Sequence, residues 1–354
     1  MFQLHFGNQI FSKIQDFELE TDSFPDFLRA AFSFCKSWLS GQTSFTQLTS
    51  GTTGAPKEIY IHRSQLLASA EATGAFFQIK PDITLLCCLN PEYIAGKMML
   101  VRAMVWDCPI WLVEPSSLPL ARLDFIPDFV AMVPLQAEQS LHDSQSKSKL
   151  KQIKHLLIGG APISDTLRKN LVDHQIQAWQ TYGMTETVSH IALALIEDSP
   201  AVYRTLPGVK IEQDTRGALW VISPMSGSEK IQTNDLIERI SGNQFSWLGR
   251  ADFVVNSGGV KLHPELLEQK AEATILELFP GCGFFFFGEK DSKLGERLVL
   301  IIESVANQDA EEKLVERLGM ILGKYEVPKA VYFSPKFVLT PNGKVDRHQT
   351  YQTL

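Results

Sequence analysis

The chain has few cysteines, and none is arranged for structural chemistry. Five are scattered at Cys35, Cys87, Cys88, Cys108 and Cys282, with no CxxC pair. An odd count without paired spacing excludes a disulfide framework and a structural zinc site. For Cys87 and Cys88, which sit in an apolar run, buried and reduced thiols are the expectation, and a reducing cytoplasm follows. Long apolar runs are also missing. Runs such as ITLLCCL from Ile83 and FFFF from Phe284 are strand-sized and far short of the ~20 residues a membrane helix needs, so no membrane insertion is expected. The N-terminus carries acidic residues early and lacks the basic-then-apolar layout of a secretion signal. No Lys/Arg block stands out, and 33 basic residues face 40 acidic ones for a net charge of −7. That balance argues against a nucleic-acid surface. A content of 44% hydrophobic and 21% charged residues excludes a disordered, collagen-like or mucin-like chain. At 354 residues, about two domains are expected.

What is there is alternation. Strand-like runs at Ile83–Leu89, Ile110–Glu114, Phe129–Val133 and His155–Ile158 are separated by stretches with apolar residues at helical spacing, among them Ser64–Phe77 and Ser164–His174. Ser164 or Asp165 suits the N-cap of the latter. This order reads as βαβ units, hence an α/β fold of mostly parallel sheets flanked by helices. After about Trp247 the texture changes. GRADFVVNSGG leads into a helix whose first turn accepts Pro264, then FFFFG, RLVLIIE, a helix around Asp309–Leu322 and AVYF. That is a small α+β unit of about 100 residues, within the domain size range. The boundary is placed at 250–252, giving domains 1–250 and 251–354.

Six motifs carry chemistry. Thr49-Ser50-Gly51-Thr52-Thr53-Gly54-Ala55-Pro56-Lys57 combines glycines that let a backbone approach a ligand with four hydroxyls and a lysine that suit phosphate oxygens. It is not a Walker A loop, because no Gly-Lys-Ser/Thr follows. Thr181-Tyr182-Gly183-Met184-Thr185-Glu186 offers an aromatic face for a base, a hydroxyl for a phosphate and a hard oxygen for Mg²⁺. Gly159-Gly160-Ala161-Pro162 directly follows the run HLLI, and the carboxyl end of a strand is where open α/β sheets bind ligands. Thr233-Asn234-Asp235 precedes Gly249-Arg250-Ala251-Asp252. Asn256-Ser257-Gly258-Gly259 reads as a hairpin turn. Pro341-Asn342-Gly343-Lys344 lies in the polar tail. Taken singly, most of these are ordinary loops and solvated side chains.

As an ordered set they resemble the acyl-adenylating superfamily of acyl-CoA synthetases, peptide-synthetase adenylation domains and firefly-type luciferases. The resemblance runs from residue 48 to residue 347 and implies a large N-terminal domain with a small, mobile α+β C-terminal one. It implies ATP, Mg²⁺ and CoA as cofactor and co-substrates, with a small carboxylic acid as the partner molecule. It assigns Thr49, Ser50, Gly51, Thr52, Thr53, Gly54 and Lys57 to the phosphates. Gly160, Ala161, Pro162, Thr181, Tyr182 and Gly183 go to the nucleotide, and Asp235 and Arg250 to the ribose. Thr185, Glu186 and Lys344 become the catalytic residues, with Glu186 as metal ligand. Asp252 becomes the hinge, and Gly258 and Gly259 line the path of the CoA thiol arm. Asn234 stands where the family usually has Gly, and Asn tolerates left-handed backbone. Family members usually carry a much longer segment before the phosphate loop; here fewer than 50 residues precede it, so an N-terminally shortened first domain is expected.

For the acid, Gly159, Ser189 and Tyr93 are the candidate contacts, Tyr93 standing where a His is common. Lys97, Arg102 and His190 are further candidates by position, although an ordinary face histidine is the simpler reading of His190. The segments IHRSQLLASA, VPLQAEQSLH and YGMTETVSHIA most resemble the o-succinylbenzoate–CoA ligases of menaquinone synthesis, whose substrate bears a second carboxylate. Other aryl- or acyl-CoA ligases and a catalytically inactive AMP/ATP-binding regulator are the alternatives. A homo-oligomer is compatible with the sequence.

Overall fold

A computed structural model of the chain describes residues 1–19, 23–49, 57–340 and 345–354. Its frame is a 13-stranded mixed sheet. Six neighbouring strands are parallel: Ala178–Gly183, His155–Ile158, Phe129–Met132, Leu85–Cys87, Pro109–Leu112 and Gln3–Phe6. Strands buried on both faces need apolar residues at every position rather than at alternate ones. Leu85, Leu86 and Cys87 are accordingly all fully buried. Their side chains still alternate between two cores, as a period of two requires. Leu85, Cys87, Phe129 and Leu157 join the core under the helices Asp26–Leu39, Arg63–Phe77 and Ile94–Val105. Leu86, Val130, Leu156 and Ile158 join the core under Pro134–His142, Ser144–Leu150 and Asp165–Asp173. The α/β expectation therefore holds, with helices on both faces.

Beyond Ala178–Gly183 the sheet turns antiparallel, through His190–Leu195, Tyr203–Thr205, Gln244–Arg250, Lys230–Ser241, Ala218–Ile222 and Lys210–Gln213. At the opposite edge, Gln3–Phe6 pairs in parallel with Pro109–Leu112 and Gln9–Phe11 closes the sheet. The residues ahead of the phosphate-loop motif thus add two strands and the helix Asp26–Leu39. The hairpin Ser44–Thr49/Lys57–His62 stands apart as its own two-stranded sheet.

From Val255 on, a five-stranded sheet is built from Val255–Ser257, Val260–Leu262, Phe284–Asp291, Gly295–Glu303 and Val331–Ser334. The helices Pro264–Leu278 and Gln308–Ile321 pack on it. The two cores of this segment share no residue with the two before it. A 3₁₀ turn at Ala251–Phe253 joins the two parts. Among the described residues no helix is long and apolar enough to cross a membrane.

Candidate active site

A cleft of about 1400 Å³ opens at the carboxyl ends of the parallel strands, where open α/β sheets hold ligands. Three of the six sequence motifs meet there. Gly159, Gly160, Ala161 and Pro162 form one wall. Thr181, Tyr182, Gly183, Thr185, Glu186 and Ser189 form the floor and a second wall. Asp235 and Arg250 close the far end. The helix Pro264–Leu278 adds Leu266, Gln269 and Lys270 from the C-terminal part, a contribution with no motif to announce it.

Two glycines are fixed by close approach. At Gly159 a Cβ would collide with the Thr181 hydroxyl of the neighbouring strand. Gly183 pairs with His190 across the antiparallel ladder, and a Cβ there would sit 2.5 Å from His190 Cα and 2.8 Å from the Ser189 carbonyl carbon. Between these partners the chain makes a tight turn. Val188 has φ 65° and ψ −53°, and the Ser189 N–H donates to the Thr187 carbonyl at 2.6 Å. That is a three-residue γ-turn of the strained hand, and a β-branched residue held in it costs about 1–3 kcal/mol. Thr187, fully buried, braces the turn by donating its hydroxyl to the Met184 or Ser189 carbonyl, both at 2.9 Å.

At the far end, the Tyr182 hydroxyl donates to Asp235 Oδ2 at 2.6 Å. Burial and the Asp235 carboxylate push the Tyr182 phenol far above its ordinary range, so it stays a donor. Its ring rests edge-on against Tyr203 and Phe245, with centroids 5.6 and 5.3 Å away. Asp235 and Arg250 are partners in the ladder, with Arg250 Nη1 at 3.9 Å from Asp235 Oδ1. Arg250 also holds Asp252 Oδ2, at 2.7 Å from Nη2, and Asn234 Nδ2 donates to Asp252 Oδ1 at 3.2 Å. The two halves of this motif, around Asp235 and Asp252, therefore form one hydrogen-bonded cluster.

One buried cation lines the cleft. Arg102, on the helix Ile94–Val105, is only 3% exposed. No carboxylate among the described residues pairs with it. Its polar contact is Met99 Sδ at 3.5 Å, and its Nε has no partner. Burial without a counterion lowers its pKa to about 10, which leaves it charged at neutral pH. His190, buried beside it, is held well below its ordinary pKa, by burial first and the Arg102 charge second. Its Nε2 lies 3.1 Å from Thr73 Oγ1, and Ser189 Oγ lies 2.7 Å from Ser69 Oγ. Ser69 and Thr73 escape a sequence reading because they sit in the apolar stripe of the helix Arg63–Phe77, more than 100 residues from their partners.

The remaining candidates lie elsewhere. Tyr93 precedes the helix Ile94–Val105, is 65% exposed and does not line the cleft, although Ile94 and Ala95 do. Lys97 is engaged by Gln47 Oε1 at 2.7 Å and the Thr46 carbonyl at 3.4 Å. Gly258 and Gly259 form the turn between Val255–Ser257 and Val260–Leu262, at φ 58° and 86°; that pair of positive φ values suits a two-residue hairpin loop. Thr49 and Lys57 pair through their backbones at the last described rung of their hairpin, next to residues 50–56. Ser50, Gly51, Thr52, Thr53, Gly54 and Lys344 lie outside the described residues. Glu186 is exposed on the cleft wall, and no cluster of three His, Cys, Asp or Glu among the described residues could hold a metal alone. A single carboxylate suits Mg²⁺ that completes its shell with phosphate oxygens and water.

The sequence model of the AMP-binding enzymes matches residues 21–219. The chain belongs to that family. A solved acyl-CoA synthetase (AMP-forming)/AMP-acid ligase II-like protein from Dyadobacter fermentans is 39% identical. The alignment covers 97% of this chain and 98% of that one, with a TM-score of 0.64. A 2-succinylbenzoate–CoA ligase of Enterococcus faecalis is 25% identical over 334 residues, 85% of this chain and 67% of its own length. The o-succinylbenzoate coenzyme A synthetase of Bacillus subtilis, solved with ATP and magnesium ion, shares the fold with a TM-score of 0.68 at 20% identity, covering 86% of this chain and 69% of its own.

Proposed function

We propose that this family member is an AMP-forming acid–CoA ligase whose acid is o-succinylbenzoate, as in menaquinone synthesis. The observation that carries the choice of acid is Arg102, a charged guanidinium buried in the cleft floor without a carboxylate partner. Leaving a charge buried and unpaired is costly. A substrate bearing a second carboxylate removes that cost on binding, whereas a monocarboxylic acid does not. The 2-succinylbenzoate–CoA ligase named above supports the same choice.

The reaction runs in two half-reactions. A carboxylate oxygen of the acid attacks the α-phosphorus of ATP, the new O–P bond forms and diphosphate leaves. The CoA sulfur, giving up its proton, then attacks the acyl carbon and AMP leaves. Asp235 is suited to accept both ribose hydroxyls, with Tyr182 and Arg250 fixing its two oxygens. Thr185 and Glu186 both line the cleft; the Thr185 hydroxyl would donate to a phosphate oxygen and Glu186 would hold Mg²⁺, which neutralises phosphate charge during transfer. Thr49–Gly54 and Lys57 serve the diphosphate, and Lys344 serves the charge that moves between carboxylate and phosphate. The Arg250–Asp252–Asn234 cluster marks the hinge about which residues 251–354 turn between the half-reactions, bringing Gly258 and Gly259 to the thiol arm.

The test is diphosphate release with ATP, Mg²⁺, CoA and a panel of acids that includes o-succinylbenzoate, with the thioester identified by mass. Turnover of o-succinylbenzoate that Arg102→Met weakens through KM supports the reading. Turnover only of monocarboxylic acids keeps the ligase and discards the acid. Nucleotide binding without turnover of any acid favours an inactive regulator.

A further inference from the structure

The helix Arg63–Phe77 lies behind the cleft wall, and two of its hydroxyls reach through to the site. Ser69 and Thr73 are one turn apart and both fully buried. Each meets one of two consecutive cleft residues: Ser69 Oγ is 2.7 Å from Ser189 Oγ, and Thr73 Oγ1 is 3.1 Å from His190 Nε2. The Thr73 hydroxyl has a single proton and donates it to the Ser69 carbonyl at 2.9 Å. Towards His190 it can only accept, so the imidazole carries its proton on Nε2. One ring tautomer and one ring orientation are thereby fixed beside Arg102.

Immediately before these two residues the backbone is strained, with Val188 at φ 65° and ψ −53° and a 2.6 Å hydrogen bond closing the turn. Strain of this kind persists only where the surroundings over-determine it, and it clusters at sites that must be preorganised. Here the surroundings are identifiable: the Thr187 hydroxyl on one side, and the Ser69 and Thr73 hydroxyls on the other. Ordinary core packing needs none of them, since an apolar helix face would fill the same space without buried hydroxyls that must find partners.

We infer that Ser69 and Thr73 are specificity-determining positioning residues, which hold Ser189 and His190 in the one arrangement that leaves the Arg102 guanidinium and the Ser189 hydroxyl to receive the distal carboxylate of the acid. His190, neutral and with its one N–H committed to Thr73, shapes the pocket and donates nothing to that carboxylate. The inference rests on the reading of Ser189, His190 and Arg102 as the acid pocket. It adds a second layer that acts on the acid and leaves ATP alone, because the Asp235 end of the cleft is built from other strands.

Thr73→Val removes the hydroxyl at constant shape, Thr73→Ser restores it, and Ser69→Ala removes the second contact. KM and kcat are measured for o-succinylbenzoate, for benzoate and for ATP, with thermal midpoints alongside. Thr73→Val and Ser69→Ala are expected to raise KM for o-succinylbenzoate about tenfold, the scale of one buried hydrogen bond. KM for ATP stays within about twofold, kcat/KM for benzoate falls less than that for o-succinylbenzoate, and Thr73→Ser recovers most of the loss. An equal fall for both acids, an equal rise in KM for ATP, or no recovery by Thr73→Ser would reduce the pair to core packing and overturn the inference. Should Thr73→Val not fold, Ser69→Ala and Thr73→Ser decide alone. Arg102→Met separates the two levels. If it raises KM for o-succinylbenzoate while Thr73→Val and Ser69→Ala do not, the positioning role alone is wrong. If Arg102→Met has no effect, the acid pocket itself is misplaced and the inference falls with it.

Discussion

The hydroxyl of Tyr182 donates to Asp235 Oδ2 at 2.6 Å, joining a parallel strand to an antiparallel one across 53 residues of sequence. With its phenol pushed up by burial and by that carboxylate, Tyr182 cannot trade roles and become an anion. It fixes one carboxylate oxygen, and Arg250 fixes the other from 3.9 Å. Tyr182→Phe keeps the ring against Tyr203 and Phe245 and deletes only this bond. A bond to a charged group contributes about 1.5–3 kcal/mol. The variant is therefore expected to weaken AMP binding by about tenfold or more in calorimetry, while KM for the acid is unchanged. An equal loss for nucleotide and acid would assign Tyr182 to general packing.

Gly183→Ala tests the close approach of two strands. The added methyl would lie 2.5 Å from His190 Cα and 2.8 Å from the Ser189 carbonyl carbon, and backbone cannot step aside as a side-chain tip can. Overpacking of this kind costs about 1–3 kcal/mol. The shift falls on Ser189 and His190, so the fall in thermal midpoint should come with a raised KM for the acid. A variant with wild-type midpoint and KM would mean that the ladder relaxes freely at this point.

How much of this was legible beforehand depends on whether a residue's role is local. His155–Ile158 is found to the residue because an apolar run is bounded by Lys154 and Gly159. Ser164 acts as the N-cap of Asp165–Asp173, its side chain accepting from the Leu167 N–H. The helix Pro264–Leu278 begins at its proline. Leu28, Ala31, Phe32 and Cys35 carry a helical stripe, which is signal enough for Asp26–Leu39. The strand Lys230–Ser241 has no such signal. Its partly exposed faces mix charges with apolar residues, and Asp235 stands out only through its motif. Ser69 and Thr73 look like members of an apolar helix, and Arg102, a candidate by its position, carries no local sign that its counterion is missing. What makes them site residues is the company they keep, set by pairings that no local pattern encodes.

The cysteines give an independent check on the packing. Cys35, Cys87, Cys88 and Cys108 are buried, and Cys282 is half-exposed. Burial pushes the Cys87 and Cys108 thiols up to about 12, and the thiolate is the reactive species. Iodoacetamide at pH 8 should therefore label Cys282 first, and the other four only as the chain unfolds. Mass spectrometry of peptides with and without denaturant reads this directly. Rapid native labelling of Cys87 or Cys88 would contradict the buried strand Leu85–Cys87 and its core.

Glu272 links the two parts of the molecule, its Oε2 accepting from the Asp165 N–H at 2.9 Å. Its pKa is raised above the ordinary 4.5, by burial first, with the Asp165 N–H opposing and the Asp165 and Glu138 carboxylates adding to the rise. The native state therefore binds a proton here more tightly than the unfolded chain does. Between 4.5 and the raised value the folded form holds more protons, so Glu272 makes stability fall as pH rises through that window and leaves a constant penalty above it. Glu272→Gln keeps an acceptor for Asp165 and cannot ionise. Relative to this variant, the wild type should gain stability when urea midpoints are moved from pH 8 to pH 4.5. A wild-type-minus-variant difference that does not change with pH would mean that Glu272 titrates alike in both states, and that its contact with Asp165 is not desolvated in solution.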